Sequence, residues 1–236
     1  MEKYQENNSI IMFDVVDKLI SIYEIKFSTN FDPKLLENFF LKNRGLETNL
    51  YINENNKDFQ KIQDWCKNNH FKISFKKLIF KKITNAGSNS RLSFAKNLGK
   101  NKETFSKTFQ ACLSTTADPD FQHKKRNPEA CYKTIASKTP IWNLLAIHKR
   151  AVVGIMILEE YPKYFSVNFA SLLPEYRGKG FTKDLLAEAE KEFYSKDSKK
   201  YWLESTGDNN VPMCKALLSY GFKKTNQMYC YHRKVK

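Results

Sequence analysis

Apolar and polar residues follow two different periods over the first 85 residues of the chain. A period of two is typical of a half-buried strand, whereas apolar residues three and four positions apart are typical of one helix face. Leu35, Leu36, Phe39 and Phe40, for example, fall on one helical face. The pattern predicts the order β-β-α-β-α-β, with strands over 10–15, 19–27, 48–52 and 71–83 and helices over 33–42 and 58–68.

A run of small and polar residues over 84–90, Thr-Asn-Ala-Gly-Ser-Asn-Ser, predicts a linker. We therefore expect two domains, over 1–85 and 90–236. The second part predicts the order β-α-α-β-β-β-α-β-α-β, with strands over 91–95, 142–147, 151–159, 165–173, 201–204 and 227–233 and helices over 103–113, 128–137, 182–194 and 212–219.

The N-terminal order resembles the later part of the C-terminal order, which favours a degenerate internal repeat. In the first part, Glu54-Asn55-Asn56 precedes a helix that is followed by His70-Phe71. In the second part, Asp208-Asn209-Asn210 precedes a helix that is followed by Gly221-Phe222. Two ordinary helix–strand units would give the same likeness by chance, so that alternative stays open.

Composition indicates a globular chain, because 41% of the residues are hydrophobic and 14% are aromatic. The longest apolar stretch, over 151–158, is far shorter than the roughly 20 residues that span a bilayer. The N-terminus has no signal-peptide pattern. We therefore expect a soluble cytoplasmic protein without a membrane partner.

The net charge of +15 lies mostly in the second part of the chain. Residues 1–85 carry 14 Lys and Arg against 11 Asp and Glu, and residues 86–236 carry 26 against 14. Such an excess favours an anionic ligand or nucleic acid, although a Lys- and Asn-rich composition alone would also produce it. The basic cluster Lys124-Lys125-Arg126 has no interleaved stacking aromatics, which disfavours nucleic acid.

The five cysteines and four histidines form no pattern of metal ligands. The cysteines are scattered without a Cys-x-x-Cys pair, so a disulfide framework is also disfavoured. We expect reduced, buried thiols and no metal cofactor.

The segment from Leu172 to Thr182 joins an apolar strand to an amphipathic helix through two glycines. Free N–H groups and the dipole at a helix N-terminus favour an anion. Gly178 and Gly180 would let the backbone approach a phosphate, and Arg177 and Lys179 would add charge. A third glycine of the dinucleotide fingerprint is missing, as is the Gly-Lys-Ser/Thr of a P-loop.

The segment Glu175-Tyr176-Arg177-Gly178-Lys179-Gly180 resembles the acetyl-CoA loop of the GNAT N-acetyltransferase superfamily, Gln/Arg-x-x-Gly-x-Gly/Ala, at both glycines. Val153-Gly154 resembles the family's Val-Gly strand. Asn210, Pro212-Met213 and Gly221-Phe222 resemble its closing helix. The likeness covers about residues 90–236. It implies an α+β fold with a mixed, mostly antiparallel sheet flanked by helices, extended here by the N-terminal partial repeat.

The resemblance implies an enzyme that uses acetyl-CoA as co-substrate for direct transfer of an acetyl group to an amine. Main-chain groups of Leu172 and Leu173 would bind the pantetheine, and N–H groups from Arg177 to Thr182, with Phe181 among them, would bind the pyrophosphate. Asn210 is a further expected CoA contact, although it is also a natural helix N-cap. The thioester carbonyl would be polarised by one of these N–H groups.

The sequence departs from the family at the general acid. Many members have a tyrosine seven residues after the asparagine, and Leu217 stands there. Tyr220 is the nearest tyrosine and becomes the candidate acid, with water as the alternative. Glu159, which ends a strand beside the expected site, is the candidate base, with Glu160 next to it.

The acceptor stays open between a small molecule and a peptide amine. The N-terminal part resembles the degenerate half-domain of TDP-fucosamine acetyltransferase-like members, which makes an amino sugar nucleotide one candidate. A non-catalytic CoA-binding sensor or interaction protein is the alternative that Leu217 favours, and a nucleic-acid-binding protein is less favoured. The sequence leaves the acyl chain and a homodimer undecided.

Overall fold

The computed structural model of the protein describes residues 1–16, 18–86, 89–96, 102–121, 125, 127–136 and 141–234. Spatial proximity divides the chain into two compact units, Met1–Leu78 with Asn226–Lys236, and Ile79–Thr225. Part of the expected linker (Gly87, Ser88) and of the basic cluster (Lys124, Arg126) lies outside the described residues.

The described residues form eleven strands and six α-helices. The strands are β1 (Glu2–Glu6), β2 (Ser9–Val16), β3 (Leu19–Lys26), β4 (Glu47–Asn53), β5 (Lys72–Ile83), β6 (Ser93–Ala95), β7 (Ile141–His148), β8 (Ala151–Glu160), β9 (Tyr164–Leu172), β10 (Tyr201–Gly207) and β11 (Lys223–Arg233). The helices are α1 (Pro33–Lys42), α2 (Phe59–Asn68), α3 (Lys102–Ser114), α4 (Pro128–Ala136), α5 (Phe181–Lys196) and α6 (Val211–Ser219). The predicted fold class and element order are confirmed, with β1 as one added strand.

In the first unit the strand order is β1-β2-β3-β4-β11-β5. The unpredicted strand β1 has the sequence Glu-Lys-Tyr-Gln-Glu, which shows no apolar alternation because most of its side chains face solvent. It joins β2 through Asn7 and Asn8, which have φ of 47° and 62° and so fit a tight hairpin turn. Tyr4 anchors the strand by packing its ring 5.4 Å from Phe39.

The core of the first unit lies between its sheet and the apolar faces of α1 and α2. Helix α1 buries Leu35, Leu36, Phe39 and Phe40, as its periodicity predicts. Helix α2 buries Ile62, Trp65 and Cys66. Burial raises the pKa of the Cys66 thiol to about 12, so this cysteine is an inert core residue.

Two features of the first unit are also found in the second: a short pair of parallel strands, and a hydrogen bond from a phenylalanine N–H back to the preceding helix. Strands β3 and β4 are parallel and pair from Leu19 with Glu47 to Ile22 with Leu50, after which a cavity of about 650 Å³ lies beside their ends. Helix α2 ends with the Phe71 N–H donating to the Cys66 carbonyl at 2.9 Å. The sequence before α1 contains no Gly-x-Gly, and the Asp32 carboxylate caps the start of this helix by accepting from the Lys34 N–H at 2.9 Å.

Within the second unit the strand order is β5-β10-β9-β8-β7-β6, to which β5 contributes residues 79–83. Strands β6 to β9 form antiparallel neighbours, and β10 runs parallel to β9. Strands β7 and β8 join through Lys149 and Arg150, with φ of 48° and 70°, as the expected hairpin requires. No helix among the described residues combines the length and the apolar character needed to cross a membrane.

Two layers of helices cover the second unit's sheet. Helices α3 and α4 pack Phe105, Phe109 and Cys131 against β8 and β9. Helix α5 buries Leu185, Leu186, Ala189 and Phe193. The Phe193 ring stacks on the ring of Phe165 in β9, with 4.8 Å between the ring centres. This contact holds α5 against the strand that precedes it in the chain.

Candidate functional site

A cleft opens where the parallel strands β9 and β10 separate. They pair at only two positions, Tyr164 with Tyr201 and Phe165 with Trp202. Beyond this point a cavity of about 80 Å³ lies between them. Its lining includes Asn168, Ala170, Leu186, Glu204, Thr206 and Leu217. The separation leaves part of the main-chain edge of β9 facing this gap instead of another strand.

A bulge in β9 places Asn168 at this cleft. Ile157 of β8 pairs with Phe169 and Leu158 pairs with Val167, so Asn168 is the extra residue. Its side-chain amide donates to Glu159 Oε1 at 2.8 Å. Glu159 therefore orients a cleft residue, and it is not itself among the described residues that line the cleft.

Glu159 also accepts a hydrogen bond from the Tyr161 hydroxyl at 2.6 Å. Burial, together with this bond to a carboxylate, raises the pKa of Tyr161 well above its usual range. Tyr161 thus stays protonated and keeps donating to Glu159 at neutral pH.

Glu204 is a carboxylate on the cleft wall that the sequence analysis did not single out. It lies on the inward face of β10 with Trp202 and Thr206, and all three side chains are buried. Its Oε1 accepts from the Val167 main-chain N–H at 2.6 Å and from the Trp202 indole N–H. The sequence did contain a signal for Glu204. Strand alternation places residues 202, 204 and 206 on one face, so a glutamate stands at an inward position next to an apolar Trp202.

The glycine loop follows β9 at the open end of the cleft. Gly178 and Gly180 have φ of +75° and +80°, a region that favours glycine. A Cβ on Gly178 would meet nothing within 4 Å, so the space beside this backbone is open. Helix α5 then begins at Phe181, and the N–H groups of its first turn have no carbonyl of their own helix to bond.

The family is decided by a match over residues 103–222 to the model of the acetyltransferase (GNAT) family. This range is half of the chain and contains the cleft and the loop. The chain belongs to the GNAT family. Acetyl transfer from acetyl-CoA is the chemistry common to this family. The comparison with curated protein sequences found no match to the chain.

Solved structures share the fold of the whole chain at low identity. A GCN5-related N-acetyltransferase from Sphaerobacter thermophilus has a TM-score of 0.66 at 11% identity over 97% of this chain and 77% of its own. A tandem GNAT protein from the clavulanic acid biosynthesis pathway has 0.68 at 9% over 98% and 81%. A glucosamine N-acetyltransferase region of a fungal multi-domain β-N-acetylglucosaminidase has 0.66 at 10% over 95% and 31%. The tandem protein agrees with a two-part GNAT architecture.

The Arg177 side chain does not extend towards the space beside the glycines. Its Nε donates to the Leu172 carbonyl at 3.0 Å, and its two terminal nitrogens donate to the carbonyl and hydroxyl oxygens of Thr115 at 2.9 and 2.7 Å. Thr115 follows the end of α3, where a cation is also favourable. Arg177 therefore ties the GNAT loop to α3 in this structure, whereas the sequence predicted that its charge would face a phosphate.

Leu173 is also engaged within the loop. Its N–H donates to the Val153 carbonyl at 2.9 Å, and its carbonyl accepts from the Tyr176 N–H at 2.9 Å. The main-chain N–H and carbonyl of Leu173, which were expected to bind CoA, therefore already have hydrogen-bond partners. The Leu172 carbonyl accepts from Arg177, as described above.

Asn210 lies at the N-cap position of α6 but makes no capping hydrogen bond, contrary to the sequence expectation. Its amide donates to Asp118 Oδ2 at 3.1 Å and to Thr206 Oγ1 at 3.0 Å. Asp118 also accepts from the Thr206 hydroxyl at 2.5 Å. This buried network fastens the segment after α3 to β10 and to α6 beside the cleft.

Replacing Asp118 by alanine should lower the free energy of unfolding by about 1–3 kcal/mol, because buried donors on Thr206 and Asn210 lose their acceptor. Urea unfolding measures the change. The exposed Asp208, in the same turn as Asn210, gives the control Asp208→Ala, which should change stability by less than about 0.5 kcal/mol. Equal effects of the two variants would contradict the structural role of Asp118.

The two candidates for the general acid lie in different surroundings. Leu217, at the family's tyrosine position, is 2% exposed and lines the cleft. Tyr220 is not among the described residues that line the cleft, and its hydroxyl donates to Glu190 Oε2 at 2.9 Å. Glu190 is also ion-paired with Lys82. Helix α6 ends at Ser219, and Gly221, two residues on, has a φ of +94°, as predicted for the residue that stops the helix.

Tyr220→Phe should leave acetyl transfer within about twofold of the unmodified protein while reducing stability by about 0.5–1.5 kcal/mol, since the hydrogen bond to Glu190 is lost. Steady-state rates and urea unfolding test the two halves of this expectation. A rate that falls tenfold or more with unchanged stability would instead make Tyr220 the acid.

Metal ligation finds no support in the described part of the chain, where no group of three or more His, Cys, Asp or Glu could hold an ion. Cys112, whose Sγ donates to the Ser171 carbonyl of β9 at 3.7 Å, is fully buried, and burial raises the pKa of its thiol to about 11.

Proposed function

We propose that this GNAT protein is an acetyl-CoA-dependent N-acetyltransferase that transfers an acetyl group to a primary amine by direct attack on the thioester. One observation carries the proposal: parallel strands β9 and β10 separate after two paired positions, and a loop with two glycines at positive φ follows β9. This arrangement provides a cleft for an extended ligand, with an anion-binding loop at one end of the cleft.

The residues present fit CoA. In the proposed complex, the pantetheine lies along the open edge of β9, where its amides replace the missing strand partner and Leu172 ends the strand. The pyrophosphate lies on the main-chain N–H groups of Gly178, Lys179, Gly180, Phe181 and Thr182. The exposed Lys179 adds charge, and Asn210 faces the same cleft through its contacts with Thr206.

Glu204 is the base in this proposal, because it is the carboxylate of β10 that lines the cleft. It accepts a proton from the substrate ammonium, and the neutral amine attacks the thioester carbonyl. Main-chain N–H groups of β9 stabilise the developing oxyanion. The C–S bond then breaks, and the nitrogen, which is positively charged after the attack, loses its second proton to water as the amide forms. The thiolate, with an ordinary pKa of about 8.5, takes a proton from water because Leu217 offers none. Glu159 contributes by orienting Asn168.

The acceptor is a primary amine of a small molecule or a peptide. An amino sugar nucleotide is one candidate, since the positive charge of the chain would favour its phosphates. A useful panel contains glucosamine, a UDP-linked amino sugar, spermidine and a short peptide with a free N-terminus.

Calorimetric titration of the protein with acetyl-CoA tests the donor site. We expect a 1:1 complex with a dissociation constant of roughly 1–100 μM, in the range common for enzyme substrates. Absence of binding at millimolar acetyl-CoA would overturn the proposal.

Leu217 at the tyrosine position favours a second candidate, a CoA-binding sensor that performs no transfer. A sensor would bind acetyl-CoA as above yet release no thiol with any amine of the panel. Thiol release above the hydrolytic background with one amine would exclude it.

A further inference from the structure

Arg91 lies beside the start of α5 in an orientation fixed by Asp184. The Arg91 main-chain N–H donates to Asp184 Oδ1 at 2.7 Å. Its Nε donates to Oδ2 at 3.0 Å and a terminal nitrogen donates to the same oxygen at 2.6 Å. Three donors on one carboxylate hold the guanidinium far more rigidly than an ordinary surface ion pair.

The fixed guanidinium borders the glycine loop. Its central carbon lies 5.0 Å from the centre of the Phe181 ring, the first residue of α5. One terminal nitrogen would lie 3.4 Å from a Cβ placed on Gly180. The Arg91 side chain is 58% exposed whereas that of Asp184 is 6% exposed, so the pair presents its cationic part to solvent.

A phosphate bound at the start of α5 would need a cation beside the Asp184 carboxylate, because both groups are negatively charged. Asp184 lies in the first turn of α5, where an unpaired carboxylate would repel a phosphate bound at the loop. Burial opposes ionisation of Asp184, but the hydrogen bonds and charge of Arg91 outweigh burial and hold the pKa of Asp184 below its usual value. Arg177 cannot fill this role while its nitrogens bond Leu172 and Thr115.

We propose that Arg91, clamped by Asp184, binds the pyrophosphate of CoA and sets the preference of this site for phosphate-bearing donors over pantetheine alone. The inference rests on the proposed function and adds a ligand from outside the glycine loop. An arginine held with one side on a carboxylate keeps N–H groups on its other side for phosphate oxygens.

The test is calorimetric titration of Arg91→Ala with CoA and, at millimolar concentrations, with pantetheine. The dissociation constant for CoA should rise about 10- to 100-fold, as loss of a charge-assisted hydrogen bond predicts, and that for pantetheine should change less than about twofold. Arg91→Gln, which keeps a donor for Asp184 without the charge, should show the same selective loss and serves if the alanine variant is unstable. Lys191→Ala, an exposed cation further along α5, is the control and should leave both constants unchanged.

The outcomes separate the inference from the proposed function. Failure of the unmodified protein to bind CoA would overturn the proposed function, and the inference with it. Binding of CoA by Arg91→Ala and Arg91→Gln as tight as that of the unmodified protein would overturn the inference alone. Equal weakening of CoA and pantetheine would also overturn it, because that result indicates a disturbed cleft.

Discussion

Gly178→Asp should raise the dissociation constant for acetyl-CoA by about 30- to 150-fold, corresponding to about 2–3 kcal/mol of repulsion between a new carboxylate and the pyrophosphate at a partly exposed site. The change is local, because a side chain at this position would meet no other group within 4 Å. Aspartate also tolerates a positive φ better than most residues, so the loop should keep its conformation.

The matched control is Gly178→Asn, which has the same shape and the same tolerance of positive φ but no charge. Its dissociation constant should rise by less than about tenfold, and the two variants should melt within about 2 °C of each other if strain is equal. Equal losses of affinity in both would mean that steric or backbone effects, and not charge, explain the result, and the anion site would have to lie elsewhere.

Glu204→Gln should lower kcat by about 100-fold or more, the usual contribution of a positioned base, with little change in the KM for acetyl-CoA. Glutamine keeps an oxygen that can accept from the Val167 N–H and the Trp202 indole, so the wall of the cleft should persist. The rate is measured by thiol release with the fastest amine of the panel.

Glu159→Gln provides the comparison for Glu204. Because Glu159 acts on the cleft through Asn168, its loss should lower kcat by less than about tenfold, as expected for an indirect role. A larger fall for Glu159→Gln than for Glu204→Gln would make Glu159 the base, as the sequence first indicated.

Hydrophobic periodicity predicted the fold because each helix and nearly every strand has one apolar face that its own sequence displays. Helix α1 is a clear example, whereas β8 was recognisable as a continuous apolar run that is buried on both faces. Strand β1 was not predicted, because its residues are mostly polar and are held in place mainly by pairing with β2 and by the packing of the Tyr4 ring. The glycine loop was recognisable because a positive φ favours glycine, whatever lies around it.

The contacts of the site were not predictable, because they join residues far apart in sequence. Arg177 reaches Thr115, and Asn210 gives up its capping bond for Asp118. Arg91 meets Asp184 across a similar separation. A local sequence pattern predicts which face of a helix or strand a side chain occupies. It does not predict which residue of another element will bind that side chain.

Catalysis is tested most directly by mass spectrometry of the amine panel after incubation with isotopically labelled acetyl-CoA. We expect one amine to acquire the labelled acetyl group with the unmodified protein, and product to fall sharply with Gly178→Asp and with Glu204→Gln. Unlabelled amines throughout the panel, with acetyl-CoA bound but intact, would contradict the account and favour a sensor.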